Sequence, residues 1–545
     1  MYIRLKRSKK AKYPTLQIVE GIREGKKVLQ RTIAHLGVIK GHDDLKRLKS
    51  LAEKLIQRLE KEGLQIDPKI EINKLMHKKT VCDGYSLVTN ALMELSGFSS
   101  IITNAQGKQS FDLGEIVKLM IAQRFHLPCS KLRTFERQDE LGFQANELQH
   151  LYRTMDAIEP LSINIQKQAF ITASAYSNSK VDCFFFDVTT LYFESIVQDE
   201  LKNFGYSKDQ KFHSVQIVLS LVVTSEGMPI AYEVFEGNKS ETKTLIPVLE
   251  SLRNRFNIEN VIVVCDRGLS SKTNIEALQG SHFNFVIATK LRAISKKLNL
   301  NDLTFYELLP NQDKIVEEEK ILFRTMPHPQ YENTTLIITY SPRRAEKDKK
   351  DRERLLDKLK NKLTSSKDES SIKKIISNSS YKKFTNVKKG SLIALNEAAI
   401  EEDATWDGFH GIAVSNGSKL SIRDALSRYK DLWHVEEAFR IAKSTLKTRP
   451  IFHWRPQRIK AHVLICFMSL FLEKFLELLL IKNNHALTPD KIRHALESVH
   501  TIFFEEKNTS KIAKMQSAIS EDAQAILNTL NISTIRNTEF VVPEN

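Results

Sequence analysis

Cys183-Phe-Phe-Phe-Asp187-Val-Thr-Thr190 and Val261-Ile-Val-Val-Cys-Asp266-Arg-Gly268 decide how this chain is read, because each is an apolar run interrupted by a carboxylate. Short runs rich in β-branched and aromatic side chains suit strands buried within a sheet. A carboxylate emerging from such a strand is costly to bury alone and neutralises by a raised pKa, whereas two beside a divalent cation stay ionised. If the two strands are neighbours, residues 79 apart (266 − 187 = 79) meet at metal-bridging distance. Taken singly, each Asp has a plainer use, since a strand-ending Asp caps a turn or a following helix.

Outward from these runs, Val215–Val223, Pro229–Phe235 and Phe285–Ala288 also read as strands. Three strands come first, then a helix over Glu241–Arg255, a strand, a helix over Lys272–Gln279 and a fifth strand. That order predicts an α/β, ribonuclease-H-like core. Residues 292–420 read as a largely β insertion, with strands over Ile321–Thr325 and Thr335–Tyr340. Its charged run from Arg343 to Leu363 reads as a solvated helix. Ser421 to Leu446 then predicts one amphipathic helix packed on the sheet, followed by further helices.

A third acid must come from that helix, and Glu436 is the best placed. At about 100° per residue, Tyr429, Glu436 and Lys443 fall within roughly 40° of one another. Leu432, Val435, Phe439, Ala442 and Leu446 form the adjoining apolar stripe, so Glu436 sits on the rim of the buried face. Arg440 and Lys447 extend the polar edge; Glu437 is a rival that points further from the apolar stripe. The plainer reading is a surface helix with ordinary Glu–Arg and Glu–Lys pairs. Three carboxylates suit Mg²⁺ or Mn²⁺, two ions for in-line phosphodiester displacement, with Asp187, Asp266 and Glu436 as ligands. His453 and His462 read as packing residues, since hard oxygen-rich sites seldom need imidazole.

Composition agrees with such a partner. The 545 residues carry a formal net charge of +16, which favours a polyanion, nucleic acid first. The hydrophobic fraction of 41% excludes a wholly disordered chain. Five scattered cysteines without Cys-x-x-Cys spacing fit a reducing, intracellular compartment. The stretch Val463–Ile481 is broken by Glu473, Lys474 and Glu477 and predicts a buried amphipathic helix, not a membrane span. Tyr2 to about His35 predicts a basic hairpin, and helical patterns follow over Asp43–Glu62 and Asp83–Ala175. The chain thus divides into an N-terminal region for DNA-end binding or scaffolding (1–175), a first core part (176–291), the insertion (292–420), a second core part (421–450) and a helical C-terminal region suited to dimerisation (451–545).

These residues resemble bacterial insertion-sequence transposases of the DDE class, in the group whose third acid lies in a Tyr-x2-Arg-x3-Glu-x6-Lys signature. Here it reads Tyr429-Lys-Asp-Leu432-Trp-His-Val-Glu436-Glu-Ala-Phe-Arg-Ile-Ala-Lys443, with Leu432 where the signature has Arg. The blocks around Asp187, Asn238 and Asp266, and Arg31-Thr-Ile-Ala-His-Leu-Gly37, are similar too. The resemblance implies catalytic Asp187, Asp266 and Glu436, with Tyr429 and Lys443 holding DNA phosphates and Arg440 or Lys447 replacing the missing arginine. It implies cut-and-paste transposition by a homodimer on double-stranded DNA ends and target DNA, often through a hairpin, with no membrane, in the bacterial cytoplasm at the nucleoid. A hairpin needs a flipped base, and Trp406 in the insertion is the candidate platform; a lone Trp is otherwise a core residue. The rival expectations are a ribonuclease-H-like nuclease without strand transfer and an inactive, transposase-derived DNA-binding protein.

Overall fold

The computed structural model describes residues 1–8, 11–24, 27–62, 75–144, 147–177, 182–205, 213–256, 261–294, 298–310, 320–365, 379–388, 391–507, 512–533 and 539–541. The Gly25–Lys26 turn expected in the N-terminal hairpin lies outside them. β1 (Tyr2–Lys6), β2 (Thr15–Glu24) and β3 (Lys27–Val38) form an antiparallel three-stranded sheet, one strand more than a hairpin. The added strand sets Ile3 opposite Ile18 and Leu5 opposite Leu16. Helix α1 (His42–Glu62) lays Leu48, Ala52 and Leu59 over Leu16, Ile18, Ala34 and Leu36 and closes a small core of its own. Then come β4 (Leu75–Val81), α2 (Gly84–Leu95), α3 (Phe98–Asn104), α4 (Leu113–His126), α5 (Lys131–Glu136), α6 (Leu148–Ile158) and α7 (Ser162–Tyr176).

The strands that carry the two aspartates follow: β5 (Cys183–Tyr192), β6 (Gln216–Thr224), β7 (Pro229–Glu236), α8 (Leu245–Phe256), β8 (Ile262–Cys265), α9 (Lys272–Gly280) and β9 (Asn284–Ala288). In space they lie in the order β9-β8-β5-β6-β7; β9, β8 and β5 are parallel, while β6 runs against β5 and β7 against β6. A strand paired on both edges and covered on both faces must be apolar throughout, which accounts for the buried run Cys183–Phe186. Successive side chains alternate between faces: Phe184 meets Phe170 of α7 at 6.4 Å between ring centroids, and Phe185 meets His434 at 6.1 Å. Asp187 therefore emerges on the face of Phe185.

The residues read as an insertion extend this same sheet. They comprise β10 (Glu307–Leu308), β11 (Leu322–Pro327), β12 (Thr334–Tyr340), α10 (Pro342–Ser365), a separate ribbon of β13 (Thr385–Lys388) and β14 (Ser391–Leu395), α11 (Glu397–Ala404) and β15 (Phe409–Ser415). β15 lies antiparallel on β9, pairing Ile412 with Ala288 and Val414 with Val286, and β12, β11 and β10 continue beyond it into nine strands. The pairing occupies backbone groups that β9 would otherwise present as an open edge.

The single helix expected over Ser421–Leu446 is instead α12 (Ile422–Lys430), α13 (Trp433–Arg440) and a π-helical turn over Ile441–Thr445. Between α12 and α13 the amides of Leu432, His434 and Val435 donate to the carbonyls three residues back, on Tyr429, Asp431 and Leu432. These tighter turns rotate α13 out of register with α12, so spacings by seven do not define one stripe. Leu432 is buried at this corner, where an arginine would lack solvent.

After α14 (Pro456–Lys482), α15 (Pro489–Glu497), β16 (Thr501–Glu506), β17 (Ile512–Gln516), α16 (Glu521–Thr529) and β18 (Glu539–Val541) complete the described chain. The expectation of a helical C-terminal region is corrected by these strands, which form a four-stranded sheet in the order β18-β17-β16-β4. Thr501-Ile-Phe-Phe has the β-branched and aromatic content of a strand and finds its partner in β4, far away in sequence. α14 is corrected as well: it is enclosed on nearly every side and not amphipathic, because α2, α4, α6, α7 and β7 surround it. Its charges survive burial by pairing: Glu473 with Arg493 at 3.0 Å, and Lys474 with Glu437 at 3.1 Å and Glu477 at 2.9 Å. Among the described residues no helix is long and apolar enough to cross a membrane. Burial acts to lower the Lys474 ammonium, but the two carboxylates outweigh it and hold its pKa above the usual value. Lys474→Met should strip Glu477 of its ion pair and leave Glu437 only the longer contact with Arg440, at a cost of about 3 kcal/mol, seen as a lowered Tm; an unchanged Tm would show that the cluster contributes nothing.

Candidate active site

β5 and β8 run parallel with Phe186 alongside Cys265, so one step further Asp187 stands beside Asp266. Neighbouring strands lie about 4.8 Å apart, and Asp266 keeps an extended backbone (φ −75°, ψ 166°) past the end of β8. Both charges act on the neighbouring Cys265 thiol: burial pushes it up, and the negative charges of Asp187 and Asp266 push it the same way. Asp187 is half-buried and Asp266 exposed, so the pair opens from the core toward solvent.

The third acid rides on α13, which packs on β5 and β6. Leu221, opposite Asp187 on β6, lines a small apolar cavity with Phe439 of α13, so α13 covers the face from which Asp187 emerges. Glu436 is exposed on this helix and makes no hydrogen bond or ion pair among the described residues. Its rival Glu437 is engaged by Lys474 and by Arg440 at 3.4 Å. That contact ties Glu437 to α14 and fixes which of the two adjacent acids remains available. Among the described residues, no three His, Cys, Asp or Glu side chains stand close enough together to hold a metal ion. The aspartates form a ready pair; Glu436 is not yet joined to it.

α12 is anchored where β5 begins, by two hydrogen bonds from Arg428 to Asp182 at 3.0 and 2.7 Å. The next residue, Tyr429, donates its hydroxyl to Asp266 Oδ1 at 3.4 Å. Burial, followed by the charge of Asp266, pushes the Tyr429 phenol up and keeps it protonated as a donor. The Tyr429 ring also packs at a tilt against His410, 4.9 Å between centroids, and the His410 pKa is held at about 4, by burial first and then by Arg344 and Arg267 against the pull of Asp266.

Asp266, Tyr429 and His410 line a cavity of about 1030 Å³ together with Trp406, Arg267 and Lys290. Trp406 is half-buried, edge-on to Phe409 at 6.2 Å, so the structure places it in the same cavity as Asp266. Across the cavity Arg352 grips Asp407 through both carboxylate oxygens, at 2.5 and 2.6 Å, while Arg292 and Lys383 close on buried Asp403. Arg267 and Lys290 form no ion pair among the described residues. Arg344, Asp348, Arg352 and Leu355 of α10 form part of this wall. The charged run expected as a solvated helix thus turns one face inward, and its i, i+4, i+8, i+11 spacing was the signal available in the sequence.

The remaining expected residues lie elsewhere. Lys443 is half-buried in the π-helical turn, and Arg440 is exposed beside Glu437. Lys447 is exposed with φ 44° and lines a separate basic cavity with Arg124. Buried Arg124 donates to the carbonyls of Leu446 at 2.6 Å and Lys447 at 3.2 Å, and the buried His462 ring lies 3.0 Å from the Thr448 carbonyl, so these residues pin the end of the segment bearing Glu436. Burial holds His453 at about 3 and His462 well below its ordinary value.

Residues 179–472, just over half of the 545, match the model of the "Transposase DDE domain" family, and residues 3–68 match the "IS1634 family transposase, N-terminal domain". No curated protein matches. Among solved structures, a piggyBac transposase synaptic complex with hairpin DNA shares 8% identity over 76% of this chain and 78% of that one, with a TM-score of 0.37. The Mos1 transposase paired-end complex with left transposon end shares 10% identity over 33% and 60% of the two chains, with a TM-score of 0.15. Neither likeness is close enough to carry an argument.

His410 supplies a pH test. Its folded pKa, about 4, lies below the ordinary 6.5, so between these values the unfolded chain binds more protons and the native state loses stability as pH falls. His410→Asn should therefore lose less Tm than the wild type on acidification from pH 6.5 to 4; equal losses would contradict the assignment.

Proposed function

The chain belongs to the DDE transposase family and is a DNA transposase of the insertion-sequence type; from this premise we propose that Asp187, Asp266 and Glu436 are its catalytic acids. The observation that carries the proposal is the register of β5 with β8, which sets two aspartates side by side beneath the helix bearing an unengaged glutamate. Members of this family generally depend on divalent metal, and the donor set suits it: all candidates are carboxylates, and the one adjacent thiol, Cys265, is buried. On our reading these acids would hold Mg²⁺ or Mn²⁺, two ions, which lower the pKa of an attacking water or 3′-hydroxyl and stabilise the leaving oxygen. On this reading Glu436 joins the pair through its own side chain and the two turns that bound α13, at Asp431–Leu432 and over Ile441–Thr445, while Glu437 stays on Lys474.

The chain's own groups supply the rest. Tyr429 positions the Asp266 carboxylate, while Arg267 and Lys290 offer charge for phosphates entering the cavity, and Lys443 serves the strand near Glu436. Element ends are cut and joined to target DNA, with a homodimer holding paired double-stranded ends. Where a hairpin forms, Trp406 receives the flipped base inside the cavity it shares with Asp266.

Asp187→Asn, Asp266→Asn and Glu436→Gln should each reduce metal-dependent end cleavage at least about a hundredfold while retaining DNA binding, and Glu437→Gln should spare the chemistry. Cleavage surviving in Asp187→Asn would reject the assignment. Joining of a pre-cut end separates this reading from a nuclease that lacks strand transfer. Trp406→Ala should lower hairpin yield more than first-strand nicking; equal loss would assign Trp406 to the core alone.

A further inference from the structure

A second basic cavity, about 390 Å³, lies where the α4–α5 corner meets the loop that follows the π-helical turn. Arg124 and Lys131 line it from one side and Lys447, Arg449 and Phe452 from the other, and no carboxylate contributes to its wall. Lys131 is 5% exposed, faces this cavity and has no hydrogen bond or ion pair among the described residues. A charged group so enclosed is costly unless an anion answers it. Its pKa reflects the strain: burial first, and Arg124 second, pull the ammonium down to about 7. Arg124 spends its terminal nitrogens on the Leu446 and Lys447 carbonyls and on His462, but its Nε stays buried without a partner.

Beside the cavity the loop turns its aromatics outward: Phe452 is 58% and Trp454 67% exposed, with the Lys202 ammonium 5.4 Å from the Trp454 ring. A cation pocket bordered by exposed aromatic faces suits a polyanion whose bases are free to stack, which is a single strand and not a closed duplex.

We propose that this cavity binds a backbone phosphate of a DNA strand through Lys131 and Arg449, with unpaired neighbouring bases stacked on Phe452 and Trp454. The proposal rests on the chain acting on DNA, and it adds a contact built jointly by the N-terminal helices and the loop beyond Lys443. A phosphate held here would couple the helical region to the end of the segment that presents Glu436.

The test is fluorescence anisotropy of the full chain without divalent metal, so that it reads binding alone and a failure of the pocket registers apart from a failure of the catalytic acids. The probes are a labelled duplex with a thymidine overhang and its blunt counterpart, with thermal melts in inorganic phosphate as a third arm. Lys131→Met and Arg449→Gln should each flatten the slope of log K against log salt for the overhang probe, and together by about 0.7–0.9, the contribution of the one phosphate they share. Phe452→Ala should weaken the overhang probe by about fivefold or more and leave the blunt duplex unchanged. Lys131→Met removes a buried charge and should not lower Tm; if it fails to fold, Arg449→Gln decides the slope. Unchanged slopes in the folded variants would overturn the proposal. Stabilisation by inorganic phosphate that Lys131→Met abolishes, without a change in DNA slope, would assign the pocket to small anions and overturn it equally.

Discussion

Two like charges on adjacent parallel strands are the constraint from which the rest of this molecule follows. The pairing of Phe186 with Cys265 leaves Asp187 and Asp266 no choice but to stand together. Like charges on neighbouring strands repel, and both also push up the buried Cys265 thiol. Opening the pair toward solvent lowers the cost, and the Tyr429 hydroxyl answers Asp266. A cation is the economical complement, and the surrounding fold keeps one side of the pair accessible for it.

The architecture around the pair separates rigid parts from adjustable ones. α14, enclosed by helices from the N-terminal half, fixes Glu437 through Lys474 and thereby sets the rotation of α13. Arg428 fixes α12 to the start of β5, and Arg124 fixes the chain beyond the π-helical turn. Glu436 lies between these anchors and, among the described residues, makes no hydrogen bond or ion pair. The extended sheet adds the opposite wall: β15 on the edge of β9 brings His410 and Trp406 to the cavity at Asp266.

Much of this was legible in the chain because it follows local rules. The apolar runs gave β5 to β9 in order, and the interrupting carboxylates marked the two strand ends that the register brings together. What could not be read depends on partners remote in sequence. β16 looked like one more helical segment until β4 was there to pair with it. The spacing of Tyr429, Glu436 and Lys443 implied a continuous helix, but the tight turn at Leu432 is set by burial at a corner that only the packed structure creates. Arg352 was hidden in plain composition: a charged run reads as solvated unless its inward face is met by acids from elsewhere, here Asp403 and Asp407. Glu436 and Glu437 were adjacent rivals in sequence; the contact of Glu437 with Lys474, 37 residues on, could not be read from the chain.

Anomalous diffraction from Mn²⁺-loaded crystals of the chain bound to a pre-cut DNA end tests the central claim most directly. A peak is expected between Asp187 and Asp266, with a Glu436 carboxylate oxygen within about 2.0–2.6 Å of bound metal and Glu437 still on Lys474. Metal bound elsewhere, or held at the aspartates with Glu436 turned away, would contradict it.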